Sequence, residues 1–473
     1  MPAHRGAPGG HEETGGAGAG PDRLLFLDAA LLPGGWARDV ALDVAGGEIL
    51  SVAAGASPAG RERLPGVALP GLPNLHSHTF QRGMAGLAET RGPEGDTFWT
   101  WRRVMYAFLD RLSPDDVEAI AAFAMMEMLE GGFTAVAEFH YLHHDPAGRP
   151  YADPAELSAR VAAAAARTGI GLTLLPSLYA QGGFGGAPAQ PGQRRFLNDA
   201  ERFLRLLDAA RRTVAPLDDA AVGIAPHSLR AVSPEALRDL LAAVPDGPVH
   251  IHAAEQVREV EECLAWSGQR PVAWLLAHAP VDRRWCLVHA THMDPAEVQG
   301  VAASGAVVGL CPITEASLGD GIFPGAAFLG AGGRVGVGTD SNVDITAPGE
   351  LRQLEYSQRL AHRARNVLAR GPGASTGRSL YDAALAGGAQ ALGRRIGRLE
   401  PGYRADLVVL DAAHPGLAAV RDDRRLDAYV FAAGTGVIER VMVAGRTLVA
   451  GGRHREREAI AARYAATVAR LAA

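Results

Sequence analysis

The sequence predicts an α/β fold, a (β/α)8 TIM-type barrel with a small β-sandwich built from both chain ends. Three observations support this prediction. Eight short apolar runs rich in β-branched residues lie between Val67 and Ser341. Alanine- and leucine-rich stretches with helical spacing separate most of them, an alternation typical of parallel strands buried on both faces. Histidines and carboxylates stand at the ends of several runs, where barrel proteins build their active sites.

Each predicted strand is a continuous apolar run rather than an alternating one. The eight strands are Val67–His76, Phe133–His140, Gly169–Tyr179, Ala221–Ser228, Pro248–Glu255, Cys286–Thr291, Ala306–Ile313 and Arg334–Ser341. The clearest helices between them are Pro114–Leu129, Pro154–Arg167, Asp199–Val214 and Pro234–Val244. Eight such strands are the number that a (β/α)8 barrel requires.

The flanking segments have a different sequence pattern, which predicts short strands joined by glycine turns. We therefore expect residues 67–398 to form the barrel and residues 23–66 and 399–454 to form the β-sandwich together. Residues 455–473 carry an apolar stripe at helical spacing and predict a C-terminal helix. Residues 1–22 are rich in Gly, Pro and polar residues and predict a disordered tail.

Bulk composition excludes several classes of protein. The chain has 473 residues, 48% of them hydrophobic, and a net charge of −6 with a pI near 6.2, which argues against non-specific nucleic-acid binding. It has neither an 18-residue apolar run nor a secretory signal, so we expect no membrane association. The three cysteines, Cys263, Cys286 and Cys311, lack CxxC spacing. They predict reduced, buried thiols in a cytoplasmic protein.

The most informative motif is His76-Ser77-His78, which closes the first barrel strand. Alternate residues of a strand face the same side, so both imidazoles can bind one metal ion. Later strands end with His252 in an HxxE motif with Glu255, with His289, and with Asp340. Histidines combined with a carboxylate suit a borderline divalent ion such as zinc.

Several of these residues have competing interpretations. His250 competes with His252 as a ligand, but the HxxE spacing favours His252. His292 competes with His289, which lies within the apolar run, and Asp340 alternatively serves as a helix N-cap. His143 and His144 are interpreted as loop or supporting residues rather than as ligands.

Specific sequence strings resemble a known family. They are Asn74-Leu75-His76-Ser77-His78-Thr79-Phe80-Gln81-Arg82-Gly83-Met84-Ala85-Gly86-Leu87, Phe98-Trp99-Thr100-Trp101-Arg102, Phe139-His140-Tyr141-Leu142-His143-His144-Asp145 and the run from Cys311 to Pro324. The ligand order resembles the amidohydrolase superfamily, and these strings resemble its formimidoylglutamate deiminase family. The resemblance implies hydrolysis of N-formimino-L-glutamate to N-formyl-L-glutamate and ammonia in histidine degradation. It also implies zinc ligands at His76, His78, His252 and Asp340, and a homodimer.

The chain contains no lysine. Some amidohydrolases bridge two metal ions with a carboxylated lysine, and this chain cannot. We therefore expect one divalent metal ion per chain, most simply Zn²⁺, with Glu138 as the alternative bridging group.

The resemblance also implies roles for individual residues. Asp340 takes the proton of the attacking water, Glu255 protonates the departing nitrogen, and His289 orients the hydroxide or stabilises charge. The substrate carries two carboxylates, for which Arg102 and Arg230 supply bidentate cations. Gln81, Tyr141 and His227 complete the substrate-binding wall.

Two other functions remain open at this point. One is a deaminase of a neutral purine, pyrimidine or triazine from the same superfamily, which an aromatic-lined pocket without an arginine pair would favour. The other is a metal-free scaffold that uses the barrel for assembly, against which the complete ligand set and Glu255 argue.

Overall fold

The computed structural model describes residues 21–93 and 95–472. A disordered tail was predicted for residues 1–22, and residues 1–20 of it lie outside the described residues. Within the described chain, no helix combines the length and the apolar character needed to cross a bilayer.

Strands and helices alternate through the middle of the chain. The strands are β1 (Arg23–Leu32), β2 (Gly35–Ala45), β3 (Glu48–Ala53), β4 (Glu62–Pro70), β5 (Leu72–Ser77), β6 (Phe133–His140), β7 (Gly171–Leu178), β8 (Ala220–Val222), β9 (Ala225–Pro226), β10 (Val249–Ala253), β11 (Trp285–His289), β12 (Val307–Leu310), β13 (Arg334–Val337), β14 (Leu407–Leu410), β15 (Ile438–Val443), β16 (Arg446–Ala450) and β17 (Arg453–His454). The α-helices are α1 (Phe98–Leu109), α2 (Pro114–Glu130), α3 (Glu156–Thr168), α4 (Ala200–Val214), α5 (Pro234–Ala243), α6 (Val257–Ser267), α7 (Pro271–His278), α8 (Pro295–Ser304), α9 (Pro312–Leu318), α10 (Gly325–Gly330), α11 (Ala347–His362), α12 (Thr376–Leu392), α13 (Asp423–Ala428) and α14 (Arg457–Ala472).

The barrel consists of two parallel sheets that meet at both edges. One sheet runs β5-β6-β7-β8, with β9 continuing the fourth strand, and the other runs β10-β11-β12-β13. Parallel bridges between Ile224 and Val249 and between Ser77 and Asp340 join the two sheets. The predicted (β/α)8 barrel is confirmed, and each of the eight predicted runs overlaps one of its strands.

The terminal segments form one mixed eight-stranded sheet in the order β17-β16-β15-β14-β4-β1-β2-β3. Its strands from both chain ends enclose a second apolar core that includes Leu27, Leu42 and Met442. The predicted partnership of the two chain ends in a β-rich unit is therefore present.

The predicted strand Val67–His76 is in fact two strands, divided at Gly71. Pro70 pairs with Leu407 of the terminal sheet, whereas Leu72 pairs with Phe133 of the barrel. A side chain at Gly71 would lie 2.2 Å from Thr134 Oγ1, so only glycine fits where the chain passes between the sheets. Residues 67–70, assigned to the barrel from the sequence, belong to the terminal sheet.

A second difference lies within residues 399–454, which the sequence analysis treated as β-structure throughout. Helix α13 and the π-helix Tyr429–Ala433 interrupt it. Their apolar residues Leu426, Tyr429 and Val430 are buried in the main core. The inserted helices therefore add to the barrel's outer layer.

The C-terminal helix α14 packs on α2 of the barrel. Ile460 and Leu471 of its predicted apolar stripe are buried. Tyr464 stacks on Phe123 with ring centroids 4.0 Å apart, and its hydroxyl donates to the carbonyl of Arg82, one turn beyond the first histidine pair. The end of the chain thus supports the loop that follows β5.

Candidate metal centre and active site

Four buried side chains converge where β5, β10 and β13 end. Ligand atoms of His76, His78, His252 and Asp340 all lie within 4.8 Å of one another. The Nε2 atoms of His76 and His78 are each 3.4 Å from Asp340 Oδ1. These are the four residues that the sequence analysis assigned as metal ligands.

The orientation of the imidazoles suits a cation at the centre. His78 Nδ1 donates to the carbonyl of Phe139 at 2.7 Å, and His252 Nδ1 donates to that of His227 at 3.1 Å. The Nε2 lone pairs of these two rings therefore face inward. Burial lowers the pKa of His76 to about 3 and also lowers the pKa values of His78 and His252, so all three rings are neutral ligands.

The closest contact in this group is between two nitrogens. His76 Nε2 lies 3.2 Å from His252 Nε2. Two neutral imidazoles whose lone pairs face each other repel unless a proton or a cation lies between them. The donor set of three imidazoles and one carboxylate fits a divalent ion of the zinc type.

Buried polar residues hold the ends of β5 and β13 together. Asn342 Nδ2 donates to the carbonyls of Asp340 at 2.9 Å and of His78 at 3.1 Å. Its Oδ1 accepts from the Thr339 hydroxyl at 2.6 Å. Asp340 itself has a φ of 41°, a left-handed conformation that costs free energy for a non-glycine residue. The Asn342 contacts therefore maintain a strained ligand in place.

Asp340 remains ionised in this setting. Burial alone would raise its pKa, but the hydrogen bond to His76 and the positive charge of His289 hold the pKa well below the ordinary value. The carboxylate can therefore bind a cation across the physiological pH range.

His289 lies between carboxylates beside the ligand cluster. Its Nε2 is 3.8 Å from Asp340 Oδ2 and 4.0 Å from Glu255 Oε1, while its Nδ1 is 3.2 Å from Glu315 Oε1. Burial lowers its pKa, but Glu255, Glu315 and Asp340 outweigh this effect and raise the pKa to about 10. Without a bound cation, the ring carries a proton.

Glu255 is buried at the start of the loop after β10. Burial raises its pKa to about 6, and the rise is limited by His289 and Arg230. The backbone N–H groups of Ala254 and Glu255 each donate to Glu259 at 3.2 Å. Glu259, one turn into α6, thus fixes the backbone that carries Glu255.

A cavity of about 60 Å³ opens onto this cluster. Ten predicted site residues line it, namely His78, Gln81, Arg102, Tyr141, His227, Arg230, His252, Glu255, His289 and Asp340. His76 contacts His252 beside it. The structure therefore brings every predicted site residue into one place.

The two predicted arginine partners differ in their surroundings. Arg230 is buried, with Nη2 3.6 Å from Glu255 and Nε 3.8 Å from Glu259. The guanidinium of Arg102 lies over the ring of Trp99. Gln81 Nε2 donates to the Tyr141 hydroxyl at 2.9 Å, and both side chains line the same cavity.

The aromatic wall of the cavity and the Glu315 carboxylate behind it were not predicted from the sequence. The wall consists of Phe98, Trp101, Tyr106, Tyr179, Phe196 and the aliphatic Leu318. Glu315 accepts from the backbone N–H of Cys311 at 2.9 Å while contacting His289. The strings containing Phe98, Trp101 and Glu315 were recognised, but local spacing did not reveal where these side chains point.

The competing candidates lie elsewhere in the structure. His250 contacts the carbonyl of Ala391, and His292 contacts that of Asp320. His143 and His144 contact the carbonyls of Ser177 and Leu197. None of these four belongs to a ligand group among the described residues.

Two further groups bear on the number of metal ions. Glu138 Oε1 accepts from the backbone and hydroxyl of Thr79, both at 2.7 Å, and Glu138 is outside the ligand groups of the described chain. A second group combines His289, Cys311 and Asp340. It shares Asp340 with the first, and burial raises the pKa of the Cys311 thiol well above its usual value. A neutral thiol is a poor ligand.

A larger cavity of about 680 Å³ lies at the opposite, N-terminal end of the barrel strands. Pro70 before β5 and Arg334 at the start of β13 line it. It contains none of the histidine groups described above, so the smaller cavity is the candidate active site.

Comparison with known proteins relates the chain to one family. Residues 67–448 match the model of the amidohydrolase family, and residues 23–66 match the N-terminal domain of formimidoylglutamate deiminase HutF. A formimidoylglutamate deiminase of Pseudomonas aeruginosa is 56% identical over 434 residues, covering 91% of this chain and 95% of that protein. A 5-methylthioadenosine/S-adenosylhomocysteine deaminase of Halobacterium salinarum is 31% identical, covering 81% and 82%.

Solved structures show the same architecture. An amidohydrolase from Brucella melitensis superposes with a TM-score of 0.92 at 51% identity, covering 96% of this chain and all of that one. An adenosine deaminase from Xanthomonas campestris with bound zinc gives 0.78 at 23% identity, covering 95% and 98%. The second likeness concerns the fold alone.

Proposed function

The chain belongs to the amidohydrolase family and, within it, to the formimidoylglutamate deiminases, and on this premise we propose that it hydrolyses N-formimino-L-glutamate to N-formyl-L-glutamate and ammonia in histidine degradation. One observation carries the proposal for this site. The guanidinium groups of Arg102 and Arg230 line the same small cavity as His78, His252 and Asp340. A substrate with two carboxylates needs such cations beside the reacting carbon, because a buried unpaired carboxylate is strongly destabilised.

His76, His78, His252 and Asp340 would hold one divalent cation, and we propose Zn²⁺. The inward Nε2 lone pairs and the ionised Asp340 support this choice. A zinc ion bound there lowers the pKa of a coordinated water to about 7 and so supplies a nucleophile at neutral pH.

Asp340 and His289 act on the attacking oxygen. Asp340 Oδ2 lies 3.8 Å from Nε2 of His289, so the two groups face the same space beside the ligand cluster. Asp340 accepts a proton from the attacking water while the oxygen of that water forms a bond to the formimino carbon. His289, held by Glu315, orients that oxygen and stabilises the negative charge that develops on it.

Glu255 supplies the proton for the leaving group. A carboxyl whose pKa is about 6 can both hold and release a proton near neutrality. It protonates the terminal nitrogen of the tetrahedral carbon, the carbon–nitrogen bond breaks, and ammonia leaves. The imino nitrogen gains two protons on its way to ammonia, and the water supplies both. Asp340 takes the first during attack, and the second leaves the hydroxyl as the formyl C=O forms, so Glu255 is reprotonated and ends in its starting state.

The cavity wall positions the rest of the substrate. Arg230, on the loop after β9, and Arg102, on α1, are proposed to bind the two carboxylates through their planar forks. Gln81, Tyr141 and His227 line the same cavity and offer neutral polar atoms to the formimino group. Because the arginines bind the carboxylates, Glu255 remains available to protonate the terminal nitrogen.

A neutral heterocycle is the second candidate substrate, because the cavity wall includes Phe98, Trp101, Tyr106 and Tyr179. Aromatic rings alone would suit a purine. The arginine pair argues against that substrate, since a neutral base would leave two cations without partners.

The test is to incubate purified protein with N-formimino-L-glutamate and identify the nitrogen product. Ammonia together with N-formyl-L-glutamate supports the proposal. Formamide with free glutamate would place cleavage on the other side of the carbon. Adenosine and 5-methylthioadenosine assayed in parallel test the heterocycle alternative, which requires their turnover in place of the formimino substrate.

We propose that the protein works in the cytoplasm as a homodimer. The three cysteines are free thiols and buried, which supports a reducing compartment. Sedimentation of the purified protein tests the subunit number, and a monomer at working concentration would refute the dimer.

A further inference from the structure

Arg102 is held by aromatic faces rather than by acids. Its guanidinium carbon lies 4.7 Å from the ring centroid of Trp99 and 5.4 Å from that of Tyr106. Both rings belong to α1, three residues before and four residues after Arg102, so helix geometry places all three side chains on one face. Within residues 21–93 and 95–472, Arg102 makes neither a hydrogen bond nor an ion pair to the protein.

Trp99 also contacts a second arginine from a different part of the barrel. The guanidinium carbon of Arg258 lies 4.5 Å from the Trp99 centroid. Arg258 stands in the first turn of α6, three residues after Glu255. One indole ring therefore links the helix that carries Arg102 to the helix that follows the proposed proton donor.

Stacking leaves the binding edge of Arg102 available. A guanidinium attracted to an aromatic ring uses its face, whereas its N–H groups point outward in the plane and can meet a carboxylate bidentately. An arginine without such support has many rotamers, and ordering it on binding costs conformational entropy. A ring that orders the side chain beforehand reduces this cost.

We propose that Trp99 is a positioning residue that sets the affinity for the substrate carboxylate, because it holds Arg102 at the cavity and ties α1 to α6 through Arg258. The proposal rests on the function proposed above and adds a residue that does not line the cavity. A purely structural Trp99 would instead affect the stability of the protein without regard to the charge of the substrate.

The first experiment compares Trp99→Leu with Trp99→Phe on two substrates, N-formimino-L-glutamate and a formimino alkylamine whose alkyl chain is neutral, so that it lacks both carboxylates. Trp99→Leu is expected to raise the KM for the dicarboxylate by about three- to thirty-fold, the range of a cation–π contact. Its kcat should stay near the wild-type value, and its kcat/KM for the neutral amine should not change. Trp99→Phe should recover most of the loss because it keeps a ring.

Trp36→Leu is the matched control, since Trp36 lies in the terminal sheet and hydrogen-bonds to Asp423. It should leave both substrates unaffected. Thermal unfolding of each variant separates a loss of folded protein from a loss of affinity. If Trp99→Leu does not fold, Arg258→Gln carries the test, and this variant is expected to raise the KM for the dicarboxylate alone.

The second experiment is a double-mutant cycle with Arg102→Met. If Trp99 acts through Arg102, Trp99→Leu will add little to the KM of Arg102→Met. Fully additive effects, equal losses on both substrates, or a wild-type KM in Trp99→Leu would each overturn the proposal. A wild-type protein that releases no ammonia from N-formimino-L-glutamate would overturn the proposed function. An active wild-type protein with any of the Trp99 results above would overturn only the role of Trp99.

Discussion

The guanidinium of Arg230 lies 3.6 Å from the carboxylate of Glu255, with both side chains buried. The proposed carboxylate-binding residue and the proposed proton donor are thus in electrostatic contact before substrate arrives. Arg230 lowers the Glu255 pKa, while burial raises it to about 6. Removing the positive charge should therefore raise the Glu255 pKa further, since a buried carboxylate would lose a partner.

A pH profile of Arg230→Met tests this relationship. The limb of the kcat/KM profile that reports Glu255 should move to higher pH in the variant, measured with a neutral formimino amine so that substrate binding does not depend on Arg230. Arg149→Met, at an exposed position paired with Asp145, should keep the wild-type profile. An unmoved limb in Arg230→Met would show that Arg230 does not influence the proton donor.

Metal content is the second prediction. One divalent ion per chain is expected by elemental analysis, because the ligand group has four members and the chain has no lysine to bridge a second ion. His76→Ala and His252→Ala should lose both metal and turnover, while His362→Ala, at the exposed end of α11, should keep both. Two ions per fully active chain would contradict the mononuclear site.

Glu255→Gln is the third prediction. The amide keeps the size of the side chain but cannot transfer a proton, so turnover should fall by roughly 10²–10⁴-fold with metal and fold retained. Circular dichroism and metal analysis check the last two points. A variant with the wild-type rate would mean that another group protonates the leaving nitrogen.

The fourth prediction concerns the two arginines as a carboxylate clamp. Removing one partner of a buried charge pair costs about 2–5 kcal/mol, or roughly thirty- to several-thousand-fold in affinity. Arg102→Met and Arg230→Met should lower kcat/KM for the dicarboxylate by this order and leave the metal in place. Lysine at either position should rescue only part of the loss, because a point charge lacks the bidentate fork. Equal losses on a neutral formimino amine would exclude the clamp.

Asn342 provides the fifth prediction. Asn342→Ala leaves the carbonyls of His78 and Asp340 and the Thr339 hydroxyl without their buried partner. Loss of a buried hydrogen-bonding partner costs roughly 1–3 kcal/mol, and disturbed support of a ligand lowers metal affinity by about 10–100-fold. Chemical denaturation and a metal-competition titration measure the two effects. Unchanged metal affinity would mean that the strained Asp340 is held by other contacts.

The sequence alone determined the order of the barrel strands and the residues that lie at their ends. Apolar runs that alternate with helical stretches predict parallel strands, and residues at the ends of such strands must meet at one end of a barrel. This rule brings His76, His78, His252, His289 and Asp340 together, and the family resemblance implies which four of them bind the metal. The family strings contain Gln81, Arg102 and Tyr141, and all three line the cavity.

Only the tertiary structure revealed contacts between segments that are distant in sequence. Gly71 divides one apolar run between two sheets, because the residue before it pairs with Leu407 of the terminal sheet and the residue after it pairs with Phe133 of the barrel. Asn342 lies 264 residues from the His78 carbonyl that it binds, and Trp99 meets Arg258 across the mouth of the barrel. Local periodicity reports which face of an element is buried but not which partner covers it. That choice depends on the packing of the whole chain, since each partner is brought into reach only when the barrel closes.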